Sequence, residues 1–400
     1  MNVFKKLYCR TFQFALKLMM PLLPYREPTL LNGYAHLAEV ITSEGKCNAL
    51  IVTDSVVRNL GLTQALEQAL KSADIKFAIF DGTVANPTTA NVEQAVSCYK
   101  ANDCDCIIAF GGGSAMDCAK ATGARIARPY TSLGKMKGVM KVRKKLPLLI
   151  AIPTTAGTGS ETTIAAVITD SETRHKYAIN DFPLIPKYAL LDAQLTVALP
   201  KSVTATTGMD ALTHAVEAFI GRSTTRQTRS NALEAVKLIF DNLEAAYSDG
   251  TNTVARANML HASYLAGLAF TKSYVGYVHA VAHSLGGKYN IAHGLANAVI
   301  LPCVLRKYGN KVQGKLWQLG LYAGLFDKDT AVADGAKMFI DKVESMNRNL
   351  GIGSTIDGIV EADIQQLART AEREANPLYP VPVLYTAQQL EQIYRAISAN

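Results

Sequence analysis

CIIAFGGGSAMDCAKATGARIA, residues 106–127, reads as a buried strand that turns through Gly111, Gly112 and Gly113 directly into a helix. An unbroken apolar run such as CIIAF (106–110) suits a strand covered on both faces. Ser114 is placed to cap the helix over 114–127. Glycines let a backbone approach a phosphate closely, and a helix N-terminus offers unpaired N–H donors and a favourable dipole to a pyrophosphate. The stretch is not a GxGxxG fingerprint, so taken alone it is equally a tight strand-to-helix turn.

The same alternation extends to either side. NALIVTD (48–54), KFAIFDG (76–82) and LLIAIP (148–153) read as further strands. SVVRNLGLTQALEQALKS (55–72) reads as one amphipathic helix, and another is expected near Thr89–Ala101. Strands alternating with crossover helices specify a parallel sheet, which binds ligands beyond the strand carboxyl ends. Two more loops fall at such ends. Asp54 closes the first strand, where it could accept from a ribose 2′-OH and repel a 2′-phosphate, or simply cap the next helix. Pro153 to Glu161 (PTTAGTGSE) gathers small hydroxyl residues, including Thr154 and Thr155, in a nucleotide loop or a polar turn. After LPKSVTAT (199–206) helical periodicity continues almost to Asn400, with no convincing strand. The expected architecture is an α/β dinucleotide-binding domain with a parallel sheet over 26–200 and an all-α domain over 201–400.

Composition is that of a globular enzyme: 49% of residues are apolar and 18% charged. The net charge of +8 is diffuse, and the basic run KMKGVMKVRKK (135–145) lacks the interleaved aromatics of a nucleic-acid surface, so it is expected to be a solvated loop. No nucleic-acid partner is expected. Seven cysteines form no regular framework and are expected to be reduced thiols in a cytoplasmic protein; Cys104 and Cys106 are a weak zinc candidate. Residues 1–25 superficially resemble a signal peptide, but Gln13 and Lys17 interrupt the apolar run and no small-residue cleavage site follows. The segment is too short and polar to span a bilayer. It is expected to pack as an amphipathic helix on the domain or on a neighbouring subunit, with peripheral membrane contact as the alternative.

Asp210 and His214 lie four apart in GMDALTHAVEAF (208–219), one helical turn apart on one face. Of the chain's seven histidines, His279, His283 and His293 fall within fifteen residues of otherwise apolar sequence. A single buried histidine is usually a core residue; the cluster, with a carboxylate, points to a divalent metal held by Asp210, His214, His279 and His293. His36, His175 and His261 have no evident partners in sequence, and a surface or packing role is expected for each; of the three, His261, in an apolar helical stretch, is the nearest to a candidate for facing the site.

Together, DGTVANPT (81–88), GGGSAMDCAKATG (111–123), IPTTAGTGSETT (152–163), GMDALTHAVEAF (208–219) and VHAVAHSLGGKYNIAHGLANAVILP (278–302) resemble the iron-dependent (group III) alcohol dehydrogenase family over about residues 30–400. The resemblance implies a dehydroquinate synthase-like two-domain architecture. It implies Asp210, His214, His279 and His293 as metal ligands. Asp54, Asn86, Gly112, Gly113, Ser114, Thr154, Thr155, Thr163 and Lys176 match positions that contact the cofactor, and Asp117 one that supports the nicotinamide-side loop. His283 matches an additional histidine that is usually not a ligand; it either relays a proton or orients a ligand.

The implied reaction is reversible hydride transfer between NAD(H), with NADP less favoured, and a small primary alcohol or aldehyde, assisted by a Lewis-acidic ion, iron first and zinc second. The substrate pocket is expected near Phe270–Tyr277 and the loop after Tyr379. A homodimer is expected from the family. The rival readings are a zinc-dependent glycerol-type dehydrogenase, a lyase resembling dehydroquinate synthase, and a non-catalytic membrane-associated scaffold.

Overall fold

The structure is a computed structural model that describes residues 1–173 and 175–399. It divides into two compact units, Pro24–Val197 and a second formed by Met1–Leu23 with Ala198–Asn400. The chain opens with α1 (Val3–Met19), which belongs to the second unit. The α/β unit then runs β1 (Thr29–Leu30), α2 (Tyr34–Ser43), β2 (Asn48–Asp54), α3 (Ser55–Asn59), α4 (Gln64–Ser72), β3 (Lys76–Thr83), α5 (Thr89–Ala101), β4 (Cys106–Gly111), α6 (Gly113–Ala127), α7 (Leu133–Met136), β5 (Gly138–Val139), β6 (Leu148–Pro153), β7 (Ala165–Thr169), β8 (Lys176–Asn180) and β9 (Tyr188–Ala189).

Six strands form one parallel sheet in the order β1-β9-β6-β4-β2-β3. Alternate residues of each central strand enter opposite cores. Leu50, Val52, Ile107, Ala109, Leu149 and Ala151 pack toward α5 and α6. Ala49, Ile51, Ile108, Phe110, Ile150 and Ile152 pack toward α2 and α4. Both faces are therefore covered, which is why these strands are apolar runs rather than alternating ones. β3 follows β2 on one side while β4 lies on the other, so the strand order reverses between β2 and β4, where sheets of this type bind ligands.

Three expectations are corrected, and one feature is new. The helix expected over 55–72 is two, because Gly61 adopts φ +70° and breaks it after Asn59. Ser114 does not cap α6; Gly112 is the N-cap, and the helix starts at Gly113. Residues 135–145 are not simply a solvated loop. β5 pairs with β8, which pairs antiparallel with β7, and Met136 and Val142 are buried while the lysines stay outside. That second, three-stranded sheet was not expected at all.

The helical unit continues with α8 (Lys201–Ile220), α9 (Arg226–Ser248), α10 (Thr253–Ser273), α11 (Tyr277–Tyr289), α12 (His293–Tyr308), α13 (Gln313–Tyr322), α14 (Val332–Asn349), α15 (Glu361–Ala375) and α16 (Ala387–Ile397). Every residue of α8 from Gly208 to Ile220 is buried, and α9, α10 and α12 pack around it. α1 is fastened by its polar side: Gln13 Nε2 donates to the carbonyls of Pro377 and Tyr379, and Arg10 to those of Val381 and Pro382. No helix among the described residues is long and apolar enough to cross a membrane.

The start of α12 touches α8 so closely that a Cβ at Gly294 would lie 2.3 Å from the Thr206 carbonyl oxygen. Because that neighbour is backbone, relief requires moving a helix. Gly294→Ala should lower unfolding free energy by about 1–3 kcal/mol in urea titration; an unchanged midpoint would show that the approach is not tight.

Candidate metal centre and cofactor loops

Three helices of the helical unit converge on one carboxylate. Asp210 and His214 project from the fully buried stretch of α8, His279 is the third residue of α11, and His293 opens α12. Asp210 Oδ1 lies 3.5 Å from His293 Nε2, 3.9 Å from His279 Nε2 and 4.0 Å from His214 Nδ1. One donor atom from each of the four residues falls within 4.8 Å of the others. Ligand atoms around a tetrahedral ion at about 2.0–2.2 Å stand roughly 3.3–3.6 Å apart, so a small contraction would close the set on one cation. Three side chains are 2–6% exposed and His293 is 39% exposed, which leaves one approach from solvent.

The surroundings are those of a cation site. Asn297, fully buried, directs Nδ2 at Asp210 Oδ1 (2.6 Å), His293 Nε2 (3.1 Å) and His279 Nε2 (3.3 Å). An amide nitrogen has two hydrogens for these three acceptors, and Asn297 Oδ1 has no hydrogen-bond partner among the described residues. The donor set is thus short of positive charge, and three imidazoles with one carboxylate fit a divalent transition metal. Burial raises the Asp210 carboxyl and drives His279 well below its ordinary value, helped by the other imidazoles. Neutral imidazole is the form that binds a metal.

Glu217, two turns along α8 from Asp210, organises the start of α11. Its Oε2 accepts from Gly276 N, its Oε1 from Val278 N, both at 2.8 Å, and Oε2 lies 2.7 Å from His279 Nδ1. With Nδ1–H donating to this carboxylate, Nε2 presents its lone pair toward Asp210. Burial pushes Glu217 up to about 7 against the lowering effect of those amides. His283, one turn beyond His279, is 43% exposed, with Nδ1 2.6 Å from Glu374 Oε1 and its ring stacked on His293. Burial acts to raise Glu374, but the nearby His283 charge and hydrogen bonds from His283 and Tyr379 leave it lowered.

In the α/β unit, the carboxyl ends of β2, β4 and β6, three adjacent strands, carry the expected cofactor residues. Gly111 has φ +150°, and a Cβ there would sit 2.7 Å from Ala115 Cβ and 3.6 Å from Asp54 Oδ2. The turn therefore requires glycine and brings Asp54 beside it. Thr154 N donates to the Gly111 carbonyl, locking the β4 and β6 loops together. Asp54 is the N-cap of α3, with Oδ1 accepting from Val57 N. Lys176 Nζ donates to Asn86 Oδ1 at 2.7 Å, and Asn86 has φ +57°.

Behind these loops lies a buried ionic group. Lys120 Nζ is 2.5–3.2 Å from the carbonyls of Ser160, Thr163 and Ala165 and the hydroxyls of Ser160 and Thr163. Ser160 Oγ and Val167 N donate to Asp117. Burial lowers Lys120 to about 8, raises Asp117 to about 6 and raises Glu161 to about 7.

The family profile described as "Iron-containing alcohol dehydrogenase" matches residues 31–193, and that described as "Fe-containing alcohol dehydrogenase family, C-terminal" matches 204–398. The chain belongs to the iron-containing alcohol dehydrogenase family. It is 37% identical over 368 residues to a 1,3-propanediol dehydrogenase of Klebsiella pneumoniae, spanning 91% of this chain and 95% of that one. It is 35% identical over 356 residues to the NAD-dependent methanol dehydrogenase of Bacillus methanolicus, spanning 88% and 92%. The solved alcohol dehydrogenase from Oenococcus oeni superposes with a TM-score of 0.88 at 31% identity, over 94% of this chain and 100% of that one. This family member is accordingly an oxidoreductase acting on alcohols.

The structure gathers the four expected metal residues. It places Asp54, Gly112, Gly113, Ser114, Thr154 and Thr155 on neighbouring strand ends, and Asn86 against Lys176. Thr163 is buried, with its hydroxyl on Lys120. His261 does not face the site; it lies on the exposed side of α10. Cys104 and Cys106 form no metal cluster among the described residues, and all seven cysteines are free. Glu217, Asn297 and Lys120 were missed. A signal existed for each: a charged or amide residue set among small and apolar neighbours in a helical run.

Glu217→Gln cannot accept from all three donors, and divalent-metal affinity, read by chelator competition, should fall about 10–100-fold; unchanged affinity would remove Glu217 from the site. Glu161 should also leave a pH signature. Its folded value of about 7 lies above its ordinary 4.5, so its contribution to stability is full below 4.5 and is lost as pH rises through 7. Glu161→Gln should flatten the fall in unfolding free energy over that window in urea titrations at several pH values. A slope identical to the parent's would contradict it.

Proposed function

We propose that this protein transfers a hydride reversibly between NAD(H) and a small primary alcohol or aldehyde, using a divalent ion, iron before zinc, held by Asp210, His214, His279 and His293. The observation that carries this reading is the convergence of one buried carboxylate and three imidazoles from three helices on a space the size of one ion. The bound ion supplies Lewis acidity at the substrate oxygen, and the nicotinamide supplies the hydride acceptor or donor. The chain's own residues position and protect. Glu217 fixes the ring of His279, and Asn297 holds Asp210 in register with His279 and His293. The partly exposed His293 leaves room for a small substrate.

Gly112, Gly113 and Ser114 at the start of α6 cradle the pyrophosphate, with Thr154 and Thr155 alongside. Asp54, at the adjacent strand end, favours NAD over NADP through its carboxylate. Asn86 and Lys176 contact the cofactor as a pair, while Asp117, with Lys120 behind it, holds the loop that bears Thr163. His283 relays a proton to solvent, a role its exposure and its Glu374 partner support. Free cysteines suit a cytoplasmic location. A homodimer, and peripheral contact of residues 1–25 with a membrane, complete the reading.

Steady-state absorbance tests it. Iron-loaded enzyme should oxidise NADH with acetaldehyde through butyraldehyde, NADPH less efficiently, and lose turnover on chelation with recovery on adding Fe2+. Absence of turnover with iron, zinc or any other divalent ion would overturn it.

A further inference from the structure

An amphipathic helix that packs on a core normally buries its apolar stripe; α1 does the reverse. Its inward side is Cys9, Gln13 and Met20, and its attachments are polar: the Gln13 and Arg10 bonds to the 377–382 backbone and a Lys5–Glu372 ion pair at 2.7 Å. Phe4, Leu7, Phe14 and Leu18, three to seven residues apart and so on one helical face, are left 62–84% exposed, and Leu22 extends the stripe. A solvated helix gains nothing from such a face, and an aqueous apolar stripe of this length marks an interaction surface.

Charge identifies the occupant. Along one border of the stripe run the exposed Lys6 and Lys17, with Lys17 bonded to the backbone of Arg222. Along the other, Lys5 borders a cavity of about 430 Å³ whose rim carries the exposed Arg369 and Arg373 of α15. Glu372, the acidic residue lining that cavity, is already paired with Lys5. An apolar ridge between two cationic borders complements an anionic bilayer surface, with hydrocarbon taking the ridge and phosphate headgroups the borders. The family match begins at residue 31, so this helix lies outside the matched region.

We infer that α1 is a built-in interfacial anchor that docks the enzyme, through Phe4, Leu7, Phe14 and Leu18 flanked by cations, on an anionic phospholipid surface. This deepens the peripheral contact proposed for residues 1–25. It is independent of turnover, so its failure leaves the dehydrogenase reading intact.

The test is flotation of the full-length protein with phosphatidylcholine vesicles with or without phosphatidylglycerol. The protein should float with the anionic vesicles and be released by high salt. A Phe4→Ser, Leu7→Ser, Phe14→Ser, Leu18→Ser variant, and separately a Lys6→Glu, Arg369→Glu, Arg373→Glu variant, should each lose at least about tenfold in bound fraction while keeping the parent's circular dichroism and turnover. No flotation on either vesicle would defeat membrane contact itself. Equal flotation on neutral vesicles would defeat the anionic surface. A parent that sediments as a larger species than the serine variant would assign the ridge to a second copy of the chain.

Discussion

A carboxylate inside a helical stretch that is buried on every side is the constraint from which the helical unit follows. Transferring Asp210 and Glu217 out of water is costly unless each is paired or hydrogen-bonded, and α8 carries both within its fully buried stretch. Glu217 is satisfied by the first amides of α11 and by His279, which fixes where α11 begins. Asp210 is approached by Asn297 and by three imidazoles, which fixes where α12 begins; Gly294 permits the contact. Helix positions and ligand positions are therefore set by the same two charges. The centre is preorganised by groups that also determine the packing around it.

The α/β unit solves a related problem differently. Lys120 is wholly buried, and its ammonium is met by three carbonyls and two hydroxyls of the 160–165 segment. Asp117 is held by Ser160 and Val167 from the same region. The loop is thus tied down by buried ionic groups. The glycine turn after β4 contributes through absence, since no side chain fits where Gly111 meets Ala115.

Much of this was legible in the sequence because burial on both sheet faces leaves uninterrupted apolar runs. NALIVTD and LLIAIP are strands over the residues expected, and the Thr89–Ala101 helix has the predicted ends. The i, i+4 spacing of Asp210 and His214 likewise carried into space, because helical geometry fixes it. What escaped depended on tertiary partners. The strands β5, β7 and β8 are short or half-buried and gain their form from one another. The single helix expected over 55–72 contains Gly61, whose positive φ breaks it. Ser114 looked like a cap, but the turn geometry of Gly111–Gly112 starts the helix earlier. The polar docking of α1 could not be read from periodicity, which locates an apolar face without saying what covers it. Glu217 and Asn297 lay in runs read for their apolar neighbours.

The central claim is that one ion is gripped by Asp210, His214, His279 and His293. Crystals of iron-loaded protein, measured across the iron absorption edge, give the most direct test. The account predicts one anomalous peak within bonding distance of those four side chains. A peak elsewhere, or none at that position in iron-loaded crystals, would contradict it.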